Sequence, residues 1–300
     1  MVPQRIAFTL IVVLTWRIAL CINKHDTLIS EIHSHASEKR PLENPLLFEG
    51  DIFPVDGNLS YNAISEYSRL WPQNVIYYEI DYSLQGYSGL IERAIEEYHR
   101  KTCIRFQQGR GRGNFVRIFY GQGCYANVGM VGGEQPLSLG RGCHFHGTAV
   151  HELGHVAGFY HEHTRSDRDQ YIDLYLHNVN PLYYPQFQKL APSENLFFNR
   201  FDYESVMLYG SRSFSNNGQY SMTRKDGGVL VEVHEKHGLS AADVERVNKL
   251  YNCNEISDED GDIHVVDESP IPHWSHQNPN LWGGQWGSWD NPQLIDLHKT

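Results

Sequence analysis

The stretch from His151 to His161 constrains this chain more than any other. It reads His151-Glu-Leu-Gly-His155-Val-Ala-Gly158-Phe-Tyr-His161. Two histidines four residues apart share one face of a helix, so both imidazoles can meet a single ion. Glu152 is displaced around the helix from that pair and can reach a water on the same ion. Gly158 lets the chain leave the helix through a left-handed conformation. That turn brings His161 back as a third nitrogen; a straight helix would point it elsewhere. Three nitrogens and an open position suit one catalytic zinc ion per chain. The two-histidine core alone is a weak signal in a chain with 17 histidines. The further requirements of Gly158 and His161 argue against a surface helix that merely carries histidines.

Residues on either side of this stretch define the organisation. Arg5 followed by the apolar run Ile6 to Trp16, with Ala19 beyond it, reads as an export signal over 1–21. The run is short for a membrane span, which needs about 20 apolar residues, and no later segment is long and apolar enough to cross a bilayer. Residues 22–61 mix polar types without periodicity, and Pro41, Pro45 and Pro54 argue against long helices. This reads as a removable pro-segment. Its Asn58-Leu-Ser60 is an N-glycosylation sequon, with Asn58 the acceptor. A compact region follows to Cys253. Of the formal net charge of −11, most lies in the acidic, tryptophan-rich tail 255–300, which reads as disordered. Nothing in this charge balance suits a nucleic-acid partner. With Cys21 in or beside the signal, Cys103, Cys124, Cys143 and Cys253 make an even number suited to two disulfides outside the cell. Four cysteines allow three pairings, and spacing does not choose among them.

Local patterns predict a strand over Val75 to Ile80 and a helix from Gly89 to Arg100, capped by Ser88. The inward face of that helix is Leu90, Ile91, Ala94, Ile95 and Tyr98. Further strands are expected at Ile104 to Phe106 and Phe115 to Tyr120, with a flexible turn over Gly109 to Gly113. Ser240 caps a last helix with Val244, Val247, Leu250 and Tyr251 facing inward.

His151 to His161 matches the extended zinc motif of the metzincins. The continuation Glu162-His-Thr-Arg-Ser-Asp-Arg-Asp169 resembles the astacin family in particular. Ser205-Val-Met-Leu-Tyr209 resembles that family's Met-turn. Thr102 to Phe106 and Leu250 to Cys253 resemble the ends of its catalytic domain, and the likeness covers about residues 62–253, within a catalytic domain expected over 62–254. It implies an α+β fold of two lobes either side of an active-site cleft, with a mixed sheet and the active-site helix in the N-terminal lobe. It implies a secreted zinc metalloendopeptidase acting on proteins or peptides. His151, His155 and His161 would be ligands and Glu152 the general base. Met207 would form an apolar floor, and Tyr209 would be a fifth ligand that helps stabilise an oxyanion. The family pattern pairs Cys103 with Cys253 and Cys124 with Cys143. Phe48-Glu-Gly-Asp51 resembles the pro-segment motif whose aspartate occupies the zinc position in the zymogen, here Asp51. A freed amino end near Asn62 would be buried beside Glu162. Tyr61 rather than a base precedes Asn62, so the activating protease is left open. Arg165, Asp167, Arg168 and Asp169 are expected to form structural ion pairs. One departure stands out: Leu208 occupies the Met-turn position usually taken by His. The rival readings are a catalytically weak binding protein on the same fold, and a zinc hydrolase of small amides or sugars.

Overall fold

The computed structural model describes residues 40–54, 69–192 and 197–253. The expected export signal over 1–21, Asn58, Asn62 and the acidic tail lie outside them. The β-rich run after Trp71 becomes β1 (Val75–Ile80), whose Ile76 and Tyr78 face inward. β2 (Arg105–Gln108) and β3 (Phe115–Phe119) pair with it on either side, both parallel. β4 (Cys124–Ala126) is short and antiparallel to β5 (Glu134–Leu139), which lies parallel to β3. The order is β2-β1-β3-β5-β4, so the sheet is mixed and β4 is its edge.

Helix α1 (Ser88–Lys101) buries Ile91, Ala94, Ile95 and Tyr98 against the sheet, as its periodicity predicts. Leu90 is only half-buried. Ser88 is the first helical residue rather than the cap, a place taken by Tyr87 without a side-chain bond. Ile104, expected in a strand, is fully buried just ahead of β2. Helix α2 (His146–Val156) is buried from Gly147 onward. A helix buried all round needs small residues where other chains press close. At Gly147 an added Cβ would stand 2.3 Å from the Val233 carbonyl oxygen. Helix α3 (Ala241–Leu250) opens with a reciprocal capping box: Asp243 N–H donates to Ser240 Oγ at 3.0 Å and Ser240 N–H to Asp243 Oδ2 at 3.1 Å.

Two apolar cores result. One fills the space between the sheet and the three helices, with Ile76, Tyr98, Leu137, Val150, Leu153 and Val247 among its members. The second gathers Ile172, Phe187, Leu208, Phe214, Met222 and Leu230 around the antiparallel pair β6 (Ile172–Leu174) and β7 (Met222–Arg224). These are the two lobes of the expected α+β fold. Cys103 is joined to Cys253 and Cys124 to Cys143. The first bridge closes 150 residues and ties the stretch after α1 to the stretch after α3. Among the described residues no helix is long and apolar enough to cross a membrane.

Candidate metal centre

Helix α2 ends where Gly158 takes a φ of 110°, a conformation that disfavours side chains. The chain turns there and presents His161 to the two helical histidines. The three Nε2 atoms converge: His155 to His151 is 3.2 Å and His161 to His151 is 3.1 Å. Every Nδ1 faces an acceptor. His151 Nδ1 lies 2.7 Å from the Val206 carbonyl, His155 Nδ1 2.7 Å from the Phe159 carbonyl, and His161 Nδ1 2.6 Å from Glu49 Oε2. Each Nδ1 must therefore carry the proton, and each Nε2 turns a bare lone pair inward. Three lone pairs this close repel one another unless a cation lies between them.

Asp51 completes the group. Its Oδ2 is 3.0 Å from His151 Nε2, and its Oδ1 is 3.3 Å from His155 and 3.2 Å from His161. The four ligand atoms lie within 4.8 Å of one another and all four residues are buried. A tetrahedral zinc with bonds of about 2.0–2.1 Å has its ligand atoms about 3.3 Å apart, so the donor set fits zinc in both type and spacing. Asp51 Oδ1 has no hydrogen-bond partner, and neither has either oxygen of Glu152. Burial, with the Asp51 charge added, holds the Glu152 carboxyl well above its ordinary pKa.

Tyr209 stacks on the His161 ring at 4.4 Å, and its hydroxyl donates to Asp51 Oδ2 at 2.7 Å. Met207 lies under the helix with its sulfur against Gly154, and its carbonyl accepts from Glu162 N–H at 2.9 Å. Leu208, which stands where the family usually has His, is fully buried in the second core as an apolar anchor. Glu162 Oε1 accepts from Arg246 Nη2 at 2.7 Å, Arg165 Nη1 at 3.2 Å and Asp202 N–H at 2.8 Å. Arg165 also pairs with Asp167, and Arg168 with Asp169.

The stretch Phe48 to Asp51 reaches the site by a tight turn. Glu49 and Gly50 both have positive φ, and a Cβ on Gly50 would lie 2.6 Å from the Leu42 carbonyl oxygen. Residues 40–43 continue along a pocket of about 460 Å³ lined by Phe145, Thr148, Ser213, Glu232 and Val233. Lys236 is buried, and its ammonium is held by the Ser205 and Leu208 carbonyls. Sequence reasoning missed Glu49, which hydrogen-bonds His161, and Arg246, which neutralises Glu162. The one available signal for Arg246 was its place on α3 three residues after a capping acid.

The family model for astacin, a family of peptidases, matches residues 63–252. Zinc metalloproteinase nas-6 of Caenorhabditis elegans is 39% identical over 221 residues, covering 70% of this chain and 64% of that protein. The chain thus spans just under two thirds of that relative's length. Astacin-like metalloprotease toxin 1 of Loxosceles intermedia is also 39% identical, over 224 residues, with 72% and 85% covered. Among solved structures, High choriolytic enzyme 1, a hatching enzyme zinc-protease from Oryzias latipes, superposes with a TM-score of 0.58 at 35% identity. That match covers 64% of this chain and all of the other. With a buried three-histidine group at its centre and a match running through most of its length, the chain belongs to the astacin family of zinc metalloproteases.

Proposed function

We infer that this chain is the latent precursor of a secreted endopeptidase that hydrolyses internal peptide bonds of proteins. The observation that carries the reading is the convergence of three Nε2 lone pairs beside an unpartnered Glu152 carboxylate. A zinc ion held by His151, His155 and His161 would lower the pKa of water to about 7 and polarise a peptide carbonyl. Glu152 accepts the proton of the attacking water and passes it to the departing amine. Its two oxygens have no other partner to surrender. The Tyr209 hydroxyl, released from Asp51, donates to the oxygen that gains charge in the transition state. Met207 and the buried flank of α2 exclude solvent beneath the imidazoles.

Latency follows from Asp51, which holds the place a water would take and ties up the Tyr209 hydroxyl. Glu49 adds a second hold on His161. The domain division is accordingly a signal over 1–21, a pro-segment over 22–61, a catalytic body over 62–254 and a tail over 255–300. Two disulfides suit the oxidising space outside the cell, and Asn58 would carry its glycan away with the pro-segment. The deciding experiment is Glu152→Gln in the processed protein. Zinc stays stoichiometric while casein hydrolysis falls by orders of magnitude; undiminished, chelator-sensitive hydrolysis would remove Glu152 from the mechanism.

A further inference from the structure

β4 is a sheet edge, and the pro-segment has added itself to it. Ala126 N–H donates to the Asp51 carbonyl at 3.0 Å, and Phe53 N–H donates to the Ala126 carbonyl at 2.8 Å. Beyond these bonds the edge offers two side chains. Asn127, 2% exposed beneath the pro-segment, donates from Nδ2 to the Phe53 carbonyl at 2.8 Å, while its Oδ1 is buried without a partner. Tyr125 stacks on the Phe53 ring, with centroids 5.5 Å apart and planes 24° apart. Phe119 meets the Tyr125 ring edge-on at 6.3 Å. Phe53 remains 38% exposed, with the face of Tyr125 stacked on its ring.

A buried carboxamide with one satisfied donor and one idle acceptor is matched to a peptide unit, which offers one C=O and one N–H. Phe53 uses only the donor half. A half-exposed tyrosine face backed by a second ring is matched to another aromatic side chain, which prefers this offset stacking. Tyr125 lies on the strand that an extended peptide would extend, and Asn127 directly follows it. Asp51 lies at the metal group, and Phe53 lies two residues further along the chain.

We propose that Tyr125 and Asn127 form a specificity subsite that selects peptides with an aromatic side chain two or three residues from the scissile bond. Phe53 of the pro-segment is the internal stand-in for that side chain. Asn127 is a positioning residue that grips the substrate main chain whatever its sequence, and Tyr125 supplies the discrimination. The proposal rests on the reading of the cleft as a peptide-hydrolysing site.

The test uses protein processed from the folded full-length chain and a set of peptides that differ at one position, aromatic against Ala. Cleavage should favour the aromatic members by about tenfold in kcat/KM, at the second or third residue on one side of the cut only. Tyr125→Leu should remove that preference. Asn127→Ala should lower kcat/KM for aromatic and Ala peptides alike, chiefly through KM. Equilibrium binding of the same peptides to the Glu152→Gln variant, read by fluorescence anisotropy, gives a measure that does not depend on turnover. Equal binding of aromatic and Ala peptides there overturns the subsite. So does a Phe53→Ala effect confined to binding of a peptide spanning residues 40–54, since Tyr125 would then serve latency alone. If aromatic peptides bind preferentially but chelator-sensitive cleavage is absent, the subsite stands and the peptidase reading fails.

Discussion

Gly154 and Met207 form a contact whose cost can be worked out from the structure. Gly154 lies in the middle of α2, where exchanging Gly for Ala ordinarily gains about 1 kcal/mol of helix stability. Here the new Cβ would stand 2.5 Å from Met207 Sδ and 3.3 Å from Tyr98 Oη. Ordinary contact is about 3.5–4.0 Å, so the thioether must retreat by about 1 Å. The adjoining void, lined by Phe159, Leu239 and Val247, is about 10 Å³, scarcely room for one water. Overpacking of this kind costs about 1–3 kcal/mol, so Gly154→Ala should be destabilising by up to about 2 kcal/mol despite the better helix former. Met207→Ala alone opens a cavity at about 2–5 kcal/mol. In the double variant the methyl group added at position 154 occupies the space the thioether leaves, so its cost should fall short of the sum by about 1–3 kcal/mol. Urea unfolding of the full-length chain, analysed as a double-mutant cycle, measures the coupling. Zinc content should also fall in Gly154→Ala, because Met207 holds the Glu162 N–H next to His161. Additive effects within about 0.5 kcal/mol, or a Gly154→Ala variant more stable than the parent, would refute the reasoning.

Asp51→Ala in the full-length precursor should produce chelator-sensitive casein hydrolysis before any cleavage of the pro-segment; a silent variant would discard the latch. Replacing Cys103 and Cys253 with Ser opens a loop of 150 residues, which should cost about 4–5 kcal/mol in denaturant unfolding; a loss below about 2 kcal/mol would count against the entropic argument. Glu97 is buried and bonded to Lys101, His146 and the Leu239 N–H. Burial alone would raise its pKa, but these partners hold it below the ordinary glutamate value. Its contribution to stability is therefore full above the unfolded value and lost as pH falls through the folded one. Glu97→Gln should flatten the acid limb of the stability curve below about pH 4.5, and an unchanged slope there would dismiss Glu97 as its source.

The features legible in the sequence were those carried by local rules. Residue spacing on a helix places His151 and His155 together, Gly158 licenses the return of His161, and Ser240 marks the start of the last helix. Apolar periodicity located β1 and α1. Long-range pairings left weaker traces. Glu49 meets His161 across 112 residues and Arg246 meets Glu162 across 84, and no periodicity encodes either. The burial of Lys236 left no trace in the sequence because a lysine is ordinarily a surface residue, whereas here two Met-turn carbonyls compensate its burial. Asn127 drew no notice because an isolated asparagine after a short strand looks like any turn residue. Ser88 was read as a cap because it is the commoner type, but the helix begins one residue earlier than that role requires.

Arg246, Asp243 and Cys253 all lie near the end of the described chain. Arg246 neutralises Glu162 behind the third imidazole, Asp243 accepts from Ser205 Oγ and Val206 N–H ahead of Met207, and Cys253 closes onto Cys103. Synthesis proceeds from the N-terminus, so every one of the converging imidazoles leaves the ribosome before the residues that brace them. A nascent chain halted upstream of Asp243 carries the whole motif yet leaves Glu162 without its closest cation and Cys103 without a mate. A premature stop codon ahead of Asp243 is thus expected to give a product that is unbraced at the metal, as inert as one lacking the histidines themselves.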